Sequence, residues 1–310
     1  MKKTYFLLLI LLSIFSCKDD DLPLEKNINQ ACLESSIPCP VIIGEKNEGC
    51  VANIIFIAEG FTESEIPEFK ILSDTAKSAI LDMEPFKSAA DNLNFYRVDS
   101  PSETSGIRSI EYTSPCNGTT GINTTSDTPW EVFSNKVGLK RLLGMESEKR
   151  DSLEVLFGDY ATGDYVYTII IANTEVYSGG SEFPGVTEYD SIKDPRVSNM
   201  IVSKHDSGPT FKYLIRHEFG HSFGNLDDEY VDQLSKCAME QQQGFFLEEP
   251  KLNVLTYNPG SWYEGARYVP KGYWREWENS IMRTDYHAIE FSPVQRKIVE
   301  DRLEKAIGCR

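Results

Sequence analysis

Histidine is almost missing from this chain, with four in 310 residues. Basic charge is short as well: 31 Lys and Arg stand against 48 Asp and Glu, a formal net charge of −17. A surface with that balance repels phosphate backbones and anionic headgroups, so neither nucleic acid nor an anionic membrane face is an expected partner. No apolar run approaches the roughly 20 residues needed to cross a bilayer as a helix. None of the seven cysteines forms a C-x-x-C pair, which argues against a zinc ribbon. Internal repeats and long low-complexity tracts are lacking too, which excludes solenoids and arrays. No EF-hand-type loop accompanies the acidity.

What is present is ordinary for a globular protein, at 40% hydrophobic and 25% charged residues. The first residues are an exception. Lys2 and Lys3 precede an apolar run from Tyr5 to Leu12, and Ser13-Ile14-Phe15-Ser16-Cys17 follows. A basic start, a short apolar core and small residues predict a secretory signal over residues 1–16. Its end resembles a bacterial lipobox, which implies a lipid on Cys17 and anchoring of an exported lipoprotein in the outer membrane. Residues 17–50 then read as tether and lead-in, and 51–310 as a single folded domain. The six cysteines that remain, Cys32, Cys39, Cys50, Cys116, Cys237 and Cys309, predict disulfides in an exported protein.

Along the body, Val51 to Ala58 is a continuous apolar run and predicts a strand buried on both faces. Thr62 with Glu65 forms a capping-box pattern opening a helix that runs to about Met83. Strands are predicted at Asn94–Asp99, Tyr165–Ala172 and Arg196–Ser203, and helices at Trp130–Leu143 and Ser147–Phe157. Residues 100–128 read as irregular, and 231–280 as aromatic-rich with little periodicity. Ser292-Pro293-x-Gln295 opens a last helix.

Two of the four histidines fall in R-H-E-F-G-H-S-F-G-N-L-D-D-E-Y, residues 216–230. His217 and His221 stand four apart, so on a helix both imidazoles project from one face, with Glu218 on its flank. Paired imidazoles suit Zn²⁺, and the carboxylate suits a general base for metal-assisted hydrolysis. Gly224 and Asp227 continue the H-E-x-x-H-x-x-G-x-x-H pattern with Asp for the last His. In this reading Gly224 takes a positive φ, ends the helix and turns a third ligand toward the metal.

The chain resembles the bacterial metallopeptidase family M64, named for an IgA peptidase and grouped with the metzincins. The likeness rests on H-E-F-G-H-S-F-G-N-L-D-D-E-Y, I-A-E-G-F-T-E-S-E, E-P-F-K-S and P-S-E-T-S-G, in that family's order, across about residues 51–308. It implies an α/β (α+β) metzincin-like fold: a mixed sheet with backing helices, an active-site helix, an irregular lower half and a C-terminal helix. A methionine turn beneath the metal would fall at Asn279–Arg283, with Met282 packing rather than ligating. Spacing selects Asp227 as third ligand, whereas the family's L-x-D-E-Y selects Asp228 and leaves Glu229 to support a ligand. Tyr286, His287 and Tyr230 are candidates for stabilising the transition state. The implied activity is hydrolysis of protein or peptide substrates in extended form, captured along an edge strand within residues 177–203. A surface protein that binds protein or glycan on an inactive scaffold, and a cell-wall amidase, are the alternatives.

Overall fold

In a computed structural model of the protein, residues 33–112, 120–123, 126–182, 196–205, 208–233, 235–237, 249–283 and 290–307 are described. The signal segment, Cys17, Cys32, Cys116, Cys309, Tyr286 and His287 lie outside these residues.

The central sheet has six strands: β1 (Val41–Ile42), β2 (Ala52–Glu59), β3 (Leu93–Val98), β8 (Val166–Ala172), β9 (Gly179–Glu182) and β10 (Val197–Ser203). Their order is β1-β3-β2-β8-β10-β9. The inner four run parallel, and β1 and β9 lie antiparallel at the two edges, so the sheet is mixed. β2 shows why the apolar run reads as it does. All eight of its residues are buried, with Ala52, Ile54, Phe56 and Ala58 in one core and Ile55 and Ile57 in the other. Val41 and Ile42 show that the lead-in contributes a strand to the body.

Helix α1 (Ile66–Leu81), helix α3 (Pro209–Ser222) and helix α4 (Pro293–Ala306) share one face of this sheet, and helix α2 (Ser147–Phe157) covers the other. The Thr62–Glu65 capping box forms as expected, with Thr62 N donating to Glu65 Oε2 at 2.8 Å. So does the Ser292–Gln295 box. In α4 the buried stripe is Gln295, Val299, Leu303 and Ala306.

Among the described residues there are also two small sheets. One contains β4 (Arg108–Tyr112), β5 (Thr120–Asn123), β6 (Phe133–Ser134) and β7 (Leu143–Gly144); the other contains β11 (Val254–Leu255), β12 (Tyr263–Ala266) and β13 (Val269–Arg275). The first replaces the helix predicted over Trp130–Leu143. Glu131 and Asn135 adopt φ of 50° and 67°, which no helix interior accepts. The buried Glu59 carboxylate also takes the N–H groups of Trp130 and Val132, at 3.1 and 2.9 Å, which anchors the segment to β2. The second sheet lies where the sequence shows little periodicity; its strands are short and its register shifts between Glu264 and Ala266.

Among the described residues no helix is long and apolar enough to cross a membrane. Cys39, Cys50 and Cys237 are each disulfide-bonded.

Candidate metal centre

Helix α3 carries the site because the sequence pins it on every side. Gly208 is its N-cap, and Pro209 sits at its first position, where a missing N–H costs nothing. Phe219 and Phe223 close a ring cluster with Phe86 and Tyr167, at centroid distances of 5.1, 4.9 and 4.4 Å for Phe86–Phe219, Phe86–Phe223 and Tyr167–Phe223. Such pairs add about 0.5–1.5 kcal/mol each beyond their burial. Arg216 reaches α1, donating from Nε to the Ala79 carbonyl at 3.2 Å and pairing with Asp82 at 3.4 Å. The helix therefore has a fixed height and rotation above the sheet.

On the face this leaves open, His217 and His221 bring their Nε2 atoms to 3.3 Å of each other. Asp228 Oδ1 lies 3.0 Å from the first and 3.1 Å from the second. The turn that delivers Asp228 differs from the sequence expectation. Asn225, not Gly224, takes the left-handed conformation, with φ of 52°, as Asn tolerates better than most residues. Gly224 is needed for room instead. A β-carbon there would meet the Gly220 carbonyl at 2.7 Å, Leu226 at 3.0 Å and Val299 at 3.1 Å.

The hydrogen bonds decide what the cluster can hold. His217 Nδ1 is 2.9 Å from the Ile281 carbonyl, and His221 Nδ1 is 2.6 Å from the Leu226 carbonyl. A carbonyl only accepts, so both Nδ1 atoms carry hydrogen and both neutral rings present an Nε2 lone pair. Two lone pairs and a carboxylate oxygen thus converge with no donor between them, which suits a cation. These three side chains are also the group among the described residues whose ligand atoms fall within 4.8 Å of one another. Without a cation a proton has to serve. Burial disfavours charge on His221, but the Asp228 carboxylate outweighs it and pushes the imidazole up to about 9. Burial opposes ionisation of Asp228 too, yet the imidazoles hold it well below the usual carboxylate range.

Asp228 Oδ2 accepts from the Tyr268 hydroxyl. Burial, then the charge of Asp228, keeps that phenol well above its usual range, so it retains the proton it donates. Asp227 faces elsewhere. Its carboxylate lies 3.3 Å from Arg267 Nε and accepts from Lys251 N at 2.7 Å. The ligand position chosen by spacing is thus a buried ion pair, and the chain needs one more residue to reach the histidines. Glu229 supports the turn after β13, accepting from Ser280 Oγ at 2.7 Å and Asn253 Nδ2 at 3.1 Å while its N–H donates to the Met282 carbonyl at 2.8 Å. Met282 is fully buried.

Glu218 lines a cavity of about 410 Å³ together with His217, Tyr213, Tyr230 and Arg141. Ser181 Oγ on β9 lies 2.6 Å from Glu218 Oε2 and 2.9 Å from its backbone carbonyl. A β-carbon on Gly179 would overlap the same carboxylate. The outer edge of β9 is not free for a substrate along its length: Gly179 N donates to the Arg141 carbonyl at 2.9 Å, and Gly179 bridges Leu142. Tyr230 lies within the site, its ring 6.2 Å from His217 and 5.2 Å from Tyr268. His205 stands apart, against the Glu175 carbonyl. Tyr268, Ser181 and the Ile281 and Leu226 carbonyls were not picked out by sequence. Tyr268 is one aromatic among many in its region, and carbonyls carry no residue signature.

A family model described as IgA Peptidase M64 matches residues 46–259. No individually curated protein matches. A crystal structure of metalloproteinase-II from Bacteroides fragilis is similar over 66% of this chain and 52% of its own, with 13% identity and a TM-score of 0.30. This chain therefore spans about half the length of that structure.

Proposed function

The chain belongs to the IgA peptidase M64 family, and from that membership we propose that it is a zinc-dependent endopeptidase whose ion is held by His217, His221 and Asp228. The observation that carries the reading is the convergence of two imidazole lone pairs and one carboxylate oxygen beside Glu218, at the wall of an open cavity. That donor set is one zinc accepts. Zinc held there would supply Lewis acidity, for activation of water and polarisation of the scissile carbonyl.

The protein's own groups do the rest. Glu218 takes the proton of the attacking water and returns it to the leaving amine. Ser181 orients its carboxylate. The Ile281 and Leu226 carbonyls and Tyr268 hold the three ligands in register. Tyr230, in the same cavity, is the candidate donor to the developing oxyanion. The substrate is a protein or peptide, extended through the cleft. The sequence alone supports the further proposal that the enzyme is exported and anchored by lipid on Cys17.

The test is the metal content of the purified protein after dialysis, by elemental mass spectrometry, followed by a search for cleaved peptides. About one zinc per chain, lost in His221→Ala, is expected. Folded protein that takes up no zinc when offered it would overturn the reading and favour a binding role on the same scaffold.

A further inference from the structure

The cavity beside Glu218 is lined by two arginines, Arg141 and Arg283, and by two carboxylates, Glu218 itself and Asp232, in a protein whose formal net charge is −17. One of the two cations is partly offset: Arg141 Nη2 lies 3.6 Å from Asp232 and donates to Ser235 Oγ. Its guanidinium rests over the Tyr230 ring, 5.2 Å from the centroid. Hydrogen bonding from Arg141 goes through Nη2 alone among the described residues, and its side chain stays 33% exposed. Arg283 has no carboxylate partner among the described residues. Its Nη1 donates to the Glu278 carbonyl, which satisfies a donor and neutralises no charge.

Part of the wall is apolar or aromatic, formed by Leu214 and Tyr213 of α3 and by Tyr177. A space of this volume that touches the general base, with an apolar flank and the Arg283 guanidinium, which has no carboxylate partner among the described residues, suits a side chain with a carbon stem and an anionic end. Guanidinium donors match a carboxylate in pairs, and a partly enclosed site lets that contact count for more than in water.

We propose that this cavity is a carboxylate-recognising subsite, in which Arg283 and Arg141 select an acidic group on the substrate residue next to the scissile bond. The inference rests on the peptidase reading above and gives it a substrate class. The carboxylate comes from an Asp or Glu side chain or from the substrate's own C-terminus.

The experiment uses the zinc-loaded enzyme and matched peptides that differ only as Glu against Gln on either side of the cleaved bond, each with a free or amidated C-terminus. A kcat/KM ratio of Glu over Gln of about tenfold or more at one flanking position is expected. Arg283→Met should bring that ratio toward one, and Arg283→Glu should turn preference toward Lys. A gap between free and amidated ends instead identifies the terminal carboxylate as the occupant. Equal rates across both comparisons, in enzyme that cuts the peptides, overturn the subsite and leave the peptidase standing. The same peptides titrated onto zinc-loaded Glu218→Gln by fluorescence anisotropy repeat the comparison without turnover. A Glu-over-Gln gap in binding, with no cleavage by the unaltered protein, would overturn the peptidase and keep the subsite.

Discussion

The sulfur of Met282 lies so close to Gly220 that a β-carbon there would overlap it. Gly220 lies between the two histidines on α3, so the turn carrying Met282 presses on the helix at the level of the metal ligands, and Ile281 beside it bonds His217. Gly220→Ala should force the turn away, destabilise the fold by about 1–3 kcal/mol and weaken zinc binding. Urea unfolding and zinc titration of the same variant measure both. Met282→Leu, close in volume, should cost less than about 1.5 kcal/mol.

Glu218→Gln keeps the shape of the side chain and removes its basicity. Turnover should fall by about 10²–10⁴-fold with close to one zinc per chain still bound. Elemental analysis alongside a peptide-cleavage assay checks this, and a Gln variant that still cuts at the original rate excludes Glu218 as the base.

Tyr268→Phe removes the donor that Asp228 Oδ2 has among the described residues. Freed to rotate, the carboxylate should hold metal about 10–100-fold more weakly. Competition with a chromogenic chelator reads the change, and an unchanged melting temperature for the metal-free protein would separate it from misfolding.

Metal-free protein should respond to pH in the opposite sense to the zinc form. The folded-state value for His221 is pushed up to about 9 from an ordinary 6.5, so the proton it binds stabilises the folded state. That contribution is fully present below about 6.5 and is lost as pH climbs through about 9. Thermal melts of the chelator-stripped protein should therefore show a falling Tm across this window. Zinc must displace the same proton, so its affinity should rise over the same range.

Ser181→Ala leaves the Glu218 carboxylate without its neighbour on β9. A fall in kcat of about tenfold, equivalent to ~1.4 kcal/mol, is expected with little change in KM, and Ser181→Thr should recover part of it. A matching loss in bound zinc would instead assign Ser181 a structural part.

Much of this was readable beforehand, for identifiable reasons. β2 and β8 are continuous apolar runs because both faces are covered, and length alone marks them as strands. Capping boxes announce themselves through side chains, so the starts of the first and last helices are visible in Thr62–Glu65 and Ser292–Gln295. His217, His221 and Glu218 follow from helical periodicity. The segment after them does not, because its path is set by room and by single backbone angles. Gly224 turned out to make space, and Asn225 to make the turn. Choosing between Asp227 and Asp228 needed Arg267, which lies 40 residues from Asp227 and has no periodic link to it. The helix expected at Trp130–Leu143 fails on single backbone angles too, the positive φ of Glu131 and Asn135.

The two bonds that aim the imidazoles begin at very different ranges. Leu226 is 5 residues from His221, whereas Ile281 is 64 residues from His217. One ligand is thus oriented by its own turn, and the other waits for a distant part of the chain to arrive. A nascent chain ending before Ile281 would carry the whole H-E-x-x-H motif and Asp228, yet leave the His217 ring free to spin. Tight zinc capture would then be a late event, a signal that the segment from Ile281 onward has docked, and no copy of the chain lacking it would be armed.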